Sequence, residues 1–170
     1  MFGKFKTFFI AAAMFVCVGA FASRADAATQ ARQFQLNGGF GLFVATDGLG
    51  PSFDFSLEPE FFFTEHATLS FRFDLTVGDV DSAHLGGRFR WYFDIPGHDK
   101  VNLYVGAGIG GVINFNGSNF GDAQLPVFGW QYDLTPHFKL GSEISFDILF
   151  NGNFVGFGTR LMPVVLKYAF

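Results

Sequence analysis

The fold of this chain is decided by residues 68–77, TLSFRFDLTV, in which every odd-numbered residue is apolar and every even-numbered residue is polar. Ten consecutive agreements with a period of two arise by chance about once in a thousand trials, if each position is apolar or polar at even odds. Successive side chains of a strand point to opposite faces. The stretch therefore predicts a β-strand with one apolar and one polar face.

The same alternation recurs along the chain and predicts an all-β fold of eight strands. The last strand is the least regular, because the alternation is lost between Phe154 and Pro163, where we expect a bulge or a long loop. No helix of useful length is predicted. The predicted strands cover residues 33–45, 52–61, 68–77, 84–93, 101–110, 128–134, 138–148 and 164–170.

The first 27 residues are expected to be removed before folding. Lys4 and Lys6 precede an apolar stretch over residues 8–22, and the segment ends in Ala25-Asp26-Ala27. This pattern predicts a secretory signal peptide over residues 1–27, with cleavage after Ala27 or, second, after Ala22. The one cysteine of the chain, Cys17, would leave with it. Residues 28–170 are then a single exported domain without disulfides.

The composition indicates whether the apolar faces of the strands pack into a protein core or face lipid. The 170 residues include 27 Phe, and 19% are aromatic while only 15% are charged. An eight-stranded barrel has an interior just wide enough for side chains to fill, so it could not enclose this many rings. The apolar faces are therefore expected to face lipid, in an antiparallel up-and-down transmembrane barrel. A net charge of -4 gives no basic surface for nucleic acid.

Aromatic residues gather at the strand ends beside three compact turns, around residues 64–66, 95–98 and 135–137. The loops at the opposite ends are expected to be longer, as on the outer face of such barrels. An even strand number places both termini at the compact-turn side, which is then periplasmic. The aromatic girdle predicted at this interface consists of Phe61, Trp91, Phe93, Trp130, Tyr132 and Phe138. The other interface is marked less clearly, by Phe43, Phe115, Phe150 and Phe154.

Charged side chains on the polar faces should meet inside the barrel. Strand pairing places Glu58 close to Arg72, and Arg72 and Asp74 beside Arg88 or Arg90. Unpaired charges in a narrow lumen are costly, so a network of ion pairs that plugs the lumen is expected. A gated ion path with Arg72, Arg88, Arg90 and Glu58 at its constriction is the alternative. The predicted network comprises Glu58, Glu60, Arg72, Asp74, His84, Arg88, Arg90, Lys139, Glu143 and Asp147.

The C-terminal residues 164–170, VVLKYAF, resemble the closing strand of outer-membrane barrels. Residues 104–110, YVGAGIG, and 134–140, LTPHFKL, resemble the small OmpA/OmpX/OmpW-type barrels. The resemblance implies a Gram-negative outer membrane, contact with its lipids including lipopolysaccharide, and insertion by the barrel-assembly machinery. Leu166, Tyr168 and Phe170 would form the assembly signal. These families share no catalytic residues.

Catalytic, metal and cofactor sites are not expected. His66, His98 and His137 lie in the compact turns, and His84 points inward without a clear hydroxyl partner, which makes a lipid-modifying enzyme a remote alternative. The histidines are too scattered for a metal site. Residues 114–123 and 151–159 are the segments large enough to present a surface to an extracellular partner, whose identity the sequence does not reveal. The predicted role is envelope structure or surface interaction with a narrow or closed lumen, and the main alternative is a small porin-like channel.

Overall fold

The computed structural model describes residues 34–45, 51–79, 81–152 and 154–170. The predicted signal peptide and its cleavage site lie outside these residues. The described part contains eight strands, β1 (Phe34–Ala45), β2 (Ser52–Phe62), β3 (Ala67–Val77), β4 (Ser82–Asp94), β5 (Val101–Asn114), β6 (Phe120–Asp133), β7 (Phe138–Asn151) and β8 (Phe154–Ala169).

The strands form a closed antiparallel barrel in which each strand pairs with its neighbours in sequence and β1 pairs with β8. Closure pairs the backbone groups of the first strand with those of the last, so the sheet has no free edge. The predicted eight-stranded up-and-down barrel is thus confirmed. Within the described ranges no helix is both long and apolar enough to cross a bilayer.

Strand β6 begins earlier than the alternation indicated. It starts at Phe120, so the predicted loop over residues 114–123 is reduced to residues 115–119. The cause is a shift of the β6–β7 register between Gln124 and Val127, around the cis peptide bond Leu125-Pro126. Residues before the shift point inward at even numbers and those after it at odd numbers. Such a bulge interrupts the alternation of apolar and polar residues, so a search for a period of two misses the first part of the strand.

Strand β8 is longer than predicted for the same reason. It begins at Phe154, so residues 154–159, expected to belong to a surface loop, are paired with β7. Inward positions run through Gly158, Arg160 and Met162, and then change to Val165 and Lys167. The register to β7 shifts between Gly141 and Glu143, opposite this change. Of the two expectations for this region, the bulge is confirmed and the long loop is wrong.

The connections between strands have similar lengths at the two ends of the barrel. At one end, here called the turn end, the connections are residues 63–66, 95–100 and 134–137. At the other, the loop end, they are residues 46–51, 78–81, 115–119 and 152–153. The predicted contrast between short turns and longer loops is therefore wrong. Gly97 in the 95–100 turn has a φ of 81°, a left-handed conformation that favours glycine.

Candidate functional site: the charged barrel interior

The barrel interior is built from the polar faces of all eight strands. Each of the ten residues predicted for the lumen network points inward and is at most 5% exposed. Their burial follows from the period of two, since the apolar residues between them occupy the outer surface. The outer face of β3 shows this directly, with Leu69 and Phe71 at least half exposed while Ser70 and Arg72 between them are buried. The usual arrangement of a soluble protein is inverted.

The centre of the interior is occupied by the carboxylate of Glu143 on β7. Its Oε1 accepts hydrogen bonds from Arg88 Nη1 at 2.5 Å and Arg72 Nη1 at 3.0 Å. Its Oε2 accepts from Arg90 Nη2 at 2.8 Å and from the Tyr104 hydroxyl at 3.0 Å. One carboxylate thus joins β7 to β3, β4 and β5 across the lumen. Charge-assisted hydrogen bonds of this kind are stronger than neutral ones.

Glu58 is the second carboxylate of this central layer. Its Oε2 lies 2.6 Å from Arg90 Nη2 and 3.8 Å from Arg88 Nη1, and its Oε1 accepts a hydrogen bond from Ser70 Oγ at 2.5 Å. The β2–β3 register brings Glu58 close to Arg72, as expected, but the ion pair that Glu58 forms is with Arg90. Three arginines therefore share two glutamates in the middle of the barrel.

An aspartate-rich cluster lies on the loop-end side of this layer. Arg160 on β8 donates from Nη2 to Asp147 at 2.9 Å and lies 3.2 Å from Asp54, and it also contacts Asp74. Asp74 additionally contacts Nε of Arg72. We expected Asp74 beside Arg88 or Arg90, but its register partner is His84, while Arg88 lies opposite Ser70. Asp74 and the arginines of β4 are thus separated along the barrel axis.

His84 connects two carboxylates of this cluster. Its Nδ1 is 3.0 Å from Asp74 Oδ2, and its Nε2 is 2.7 Å from Asp122 Oδ2. With both nitrogens engaged by carboxylates, the ring is not placed as a base toward a hydroxyl nucleophile.

A third cluster fills the turn end around Glu60. This carboxylate accepts from the hydroxyls of Thr68 at 2.5 Å and Tyr92 at 2.8 Å and from the amide of Asn37 at 2.7 Å, and Arg90 Nη1 lies 3.4 Å away. Lys139 lies at the same end, with its Nζ 3.4 Å from Asp133. All ten residues of the predicted network are thus distributed over three connected layers.

Several interior residues were missing from the predicted network. Arg160 lies in the region where the alternation is lost, and Asp122 lies in the predicted loop over residues 114–123. Lys167 on β8 is also buried in the interior and lies outside the predicted network. Its Nζ donates to Gln131 Oε1 at 3.1 Å and lies 4.5 Å from the ring centroid of Tyr104. A bulge-tolerant search for period two would have found Arg160 and Asp122.

Inward glycines on β5 make room for the large side chains of β4. A Cβ at Gly108 would lie 2.7 Å from Cγ of Arg88, and one at Gly110 would lie 2.3 Å from the Leu85 carbonyl oxygen and 2.8 Å from Nε2 of His84. Such contacts are shorter than packed atoms tolerate. The alternating glycines of residues 104–110 thus allow β5 to lie close to the backbone of β4 and to the β4 side chains of the network.

The ion-pair layers separate two vestibules. One, of about 330 Å³, lies at the turn end and is bordered by Phe62, Tyr92 and Lys139 among others. The other, of about 100 Å³, lies at the loop end and is bordered by Phe43, Phe120 and Arg160 among others. Phe43, expected at the outer interface, is instead buried in the lumen with Arg160 over its ring at 5.2 Å.

The outward residues predicted from the aromatic pattern lie on the outer surface. Each of the six girdle residues is between 37% and 50% exposed. Leu166, Tyr168 and Phe170 are likewise exposed, at or after the end of β8. Among the described residues, no group of three or more histidine, cysteine, aspartate or glutamate side chains is arranged to hold a metal ion.

The chain matches no protein-family model and no curated protein sequence. Solved structures are similar to it in fold. Neisserial surface protein A aligns with a TM-score of 0.66 at 16% identity, over 84% of this chain and 100% of that one. The N-terminal barrel domain of Pseudomonas aeruginosa OprF aligns with a TM-score of 0.59 at 16% identity, over 83% of this chain and 100% of that one. A de novo designed transmembrane barrel aligns with a TM-score of 0.51 at 13% identity, over 85% of this chain and 100% of that one.

These identities are too low to carry a function from one protein to another, and they establish likeness of architecture alone. The similarity that the terminal strand and the glycine pattern indicated is confirmed at that level. This chain has the eight-stranded fold of the small outer-membrane β-barrels.

Proposed function

We propose that this protein is an integral outer-membrane barrel with a closed lumen, and that it acts through its outer surface and its ends rather than as an open pore. The observation that carries the proposal is the central layer, where Arg72, Arg88 and Arg90 converge on Glu143 across the lumen. An ion passing along the axis would have to displace these paired side chains. The role that remains is envelope structure or interaction at the cell surface.

The outer surface supports the membrane location. Large apolar side chains from all eight strands are exposed around the barrel, including Phe55 at 53%, Leu69 at 57% and Ile109 at 69%. Exposed apolar area of this extent is not tolerated by a soluble monomer. Lipid also requires that backbone polar groups be paired internally, which barrel closure achieves. Together with the predicted signal peptide, these properties support an outer-membrane location.

For the orientation we propose a periplasmic turn end with both termini on that side. Connection length does not distinguish the two ends, so the proposal rests on the exposed aromatic girdle at the turn end and on the exposed Phe170, which directly follows the closing strand. Lipopolysaccharide and the barrel-assembly machinery are proposed partners from the same reasoning. An extracellular ligand would contact the loop end.

A small porin-like channel is the second candidate, favoured by the two vestibules that approach the central layer from both ends. Conductance in planar bilayers separates the candidates. Correctly folded protein is expected to show no ion current above the lipid background. A steady unitary conductance from the wild-type protein would overturn the closed-lumen proposal.

A lipid-modifying activity has less support, because His84 is held by Asp74 and Asp122. We expect lipid A from cells that overproduce the protein to have an unchanged mass spectrum. A new or lost acyl chain would contradict this expectation.

The barrel itself is tested by gel mobility before and after boiling. A folded transmembrane barrel is expected to migrate as a compact band that shifts on boiling. Protein extracted from membranes that shows only one mobility would count against the proposal as a whole.

A further inference from the structure

A groove of about 500 Å³ crosses the outer wall where the barrel closes, between β8, β1 and β2. At its centre Gly38 occupies an outward position on β1, between Leu36 and Phe40. The residues paired with Gly38 are Leu57 on β2 and Leu166 on β8. The glycine leaves a hollow between these two leucines and the outward side chains on either side of it in β1.

The hollow has room for atoms from outside the barrel. A Cβ built on Gly38 would meet nothing closer than the Ser56 carbonyl oxygen at 4.0 Å. The rim is formed by outward side chains such as Phe40, Phe55 and Val164. The inward residues Ser56 and Lys167 also border the groove, because the glycine pair Gly38-Gly39 leaves the wall thin at this point.

The groove has a definite position along the wall. One end lies beside Phe138 and Tyr168, which are register partners at the turn end, and the other lies beside Phe40 and Phe55, which are partners near the middle of the strands. From Leu36 to Phe40 the chain advances about 14 Å, at roughly 3.4 Å per residue. One leaflet of the hydrocarbon core is about 15 Å deep. Because strands of transmembrane barrels tilt by about 35–45° from the membrane normal, the groove covers about 10–11 Å of this depth. It therefore lies within the leaflet at the turn end.

We propose that this groove retains an acyl chain of a phospholipid from the leaflet at the turn end. The inference rests on the proposed membrane location and deepens it by assigning a lipid site to one part of the wall. A linear apolar chain matches the groove in length and in the apolar side chains along its rim. Burial of its methylene groups against leucine and phenylalanine side chains gives van der Waals contact that a smooth wall lacks.

A second copy of the chain is a poorer occupant. A stable protein interface buries about 800 Å² on each partner and includes several direct hydrogen bonds. The groove rim is formed mainly by leucine, valine and phenylalanine side chains, which offer a protein partner no hydrogen bonds. Dimerisation is therefore treated as an alternative outcome of the test.

The experiment uses Gly38→Leu, which fills the groove, and Gly87→Leu as its matched control. Gly87 is also an outward glycine with open space, since its nearest atom to a built Cβ is the Ser70 carbonyl oxygen at 3.9 Å. It lies on β4 between Phe71 and Ile109, away from the groove. All proteins are extracted from membranes in mild detergent, tested for the heat-sensitive compact band, and titrated with a diacyl phospholipid in native mass spectrometry.

We expect the wild type and Gly87→Leu to retain one phospholipid, and Gly38→Leu to bind it at least tenfold more weakly. Equal retention by all three folded proteins would overturn the lipid site. A dimer that is lost only in Gly38→Leu would also overturn it, in favour of a second copy. Absence of the compact band in the wild type would instead overturn the proposed membrane barrel.

A second measurement needs no variant. The wild type is reconstituted with a phospholipid that carries a photoreactive diazirine on its acyl chain, and the labelled peptides are mapped. Labelling is expected to be several-fold higher on residues 36–40 and 164–168 than on the outward residues of β4 and β5. Uniform labelling around the wall would contradict a retained chain.

Discussion

Glu143 Oε1 on β7 lies 3.0 Å from Arg72 Nη1 on β3, the strand directly opposite it in the closed barrel. The same oxygen accepts from Arg88, and Oε2 accepts from Arg90. A single carboxylate therefore neutralises and orients arginines from two strands across the lumen. Its removal would leave buried positive charges without their shared partner.

The change Glu143→Gln keeps the volume of the side chain and removes its charge. We expect the free energy of unfolding to fall by about 3–5 kcal/mol, as found when one partner of a buried ion pair is lost. Urea unfolding in lipid vesicles, followed by the compact gel band, measures the change. Ser142→Ala on the outer face of the same strand is the control and should stay within about 0.5 kcal/mol of the wild type. A Glu143→Gln protein as stable as this control would show that the central layer contributes little.

The glycines of β5 offer a test of packing rather than charge. In Gly108→Ala the new methyl group would lie 2.7 Å from Cγ of Arg88 and 3.1 Å from Oε1 of Gln124, so Arg88 must move. Overpacking of this kind is expected to lower the free energy of unfolding by about 1–3 kcal/mol. Gly111→Ala on the outer face of β5 is the control, because its nearest atom is the Phe120 carbonyl oxygen at 3.7 Å. The same urea series measures both, and equal stabilities would argue against a role for Gly108 in seating Arg88.

The sequence alone was sufficient for the strand number, the closed topology and the inner face of most strands, because alternation reports which side of a sheet a residue occupies. It failed where a bulge changes the phase. Asp122 and Arg160 point inward at even numbers, whereas Val127 and Lys167 on the same two strands point inward at odd numbers. A search that expects all inward residues of a strand to be either even-numbered or odd-numbered therefore recognises only one part of β6 and one part of β8.

The partners within the network were harder to predict than its members. Register placed Glu58 near Arg72, yet Glu58 pairs with Arg90, and Arg72 reaches across the barrel to Glu143. Arginine side chains are long enough to pass their register neighbours, so pairing inside a narrow lumen is decided by the joint packing of many side chains. Adjacent-strand register gives no information about contacts between strands that are not neighbours.

The closed lumen can be opened on purpose. The double change Glu58→Ala with Arg90→Ala removes an ion pair whose atoms are 2.6 Å apart and leaves the net charge unchanged. Arg72 and Arg88 keep Glu143 as a partner in this variant. We expect small unitary currents in planar bilayers from the folded double variant and none from the wild type. If the folded double variant is also silent, the remaining side chains suffice to close the lumen, and Glu58 and Arg90 are not its decisive constriction.

The girdle gives the position of the barrel in the membrane through its two tryptophans, which are the only ones in the sequence. Trp91 and Trp130 are 42% and 39% exposed near the turn end. Because indole rings favour the headgroup level, we expect phospholipids brominated near the headgroup to quench the fluorescence more strongly than those brominated near the chain end. The control moves the reporter to mid-height, with Phe71→Trp in a background carrying Trp91→Phe and Trp130→Phe. Phe71 is outward in the middle of β3, so the pattern should reverse. Stronger quenching of the native tryptophans by deep bromines would place the turn end inside the bilayer and contradict the proposed interface.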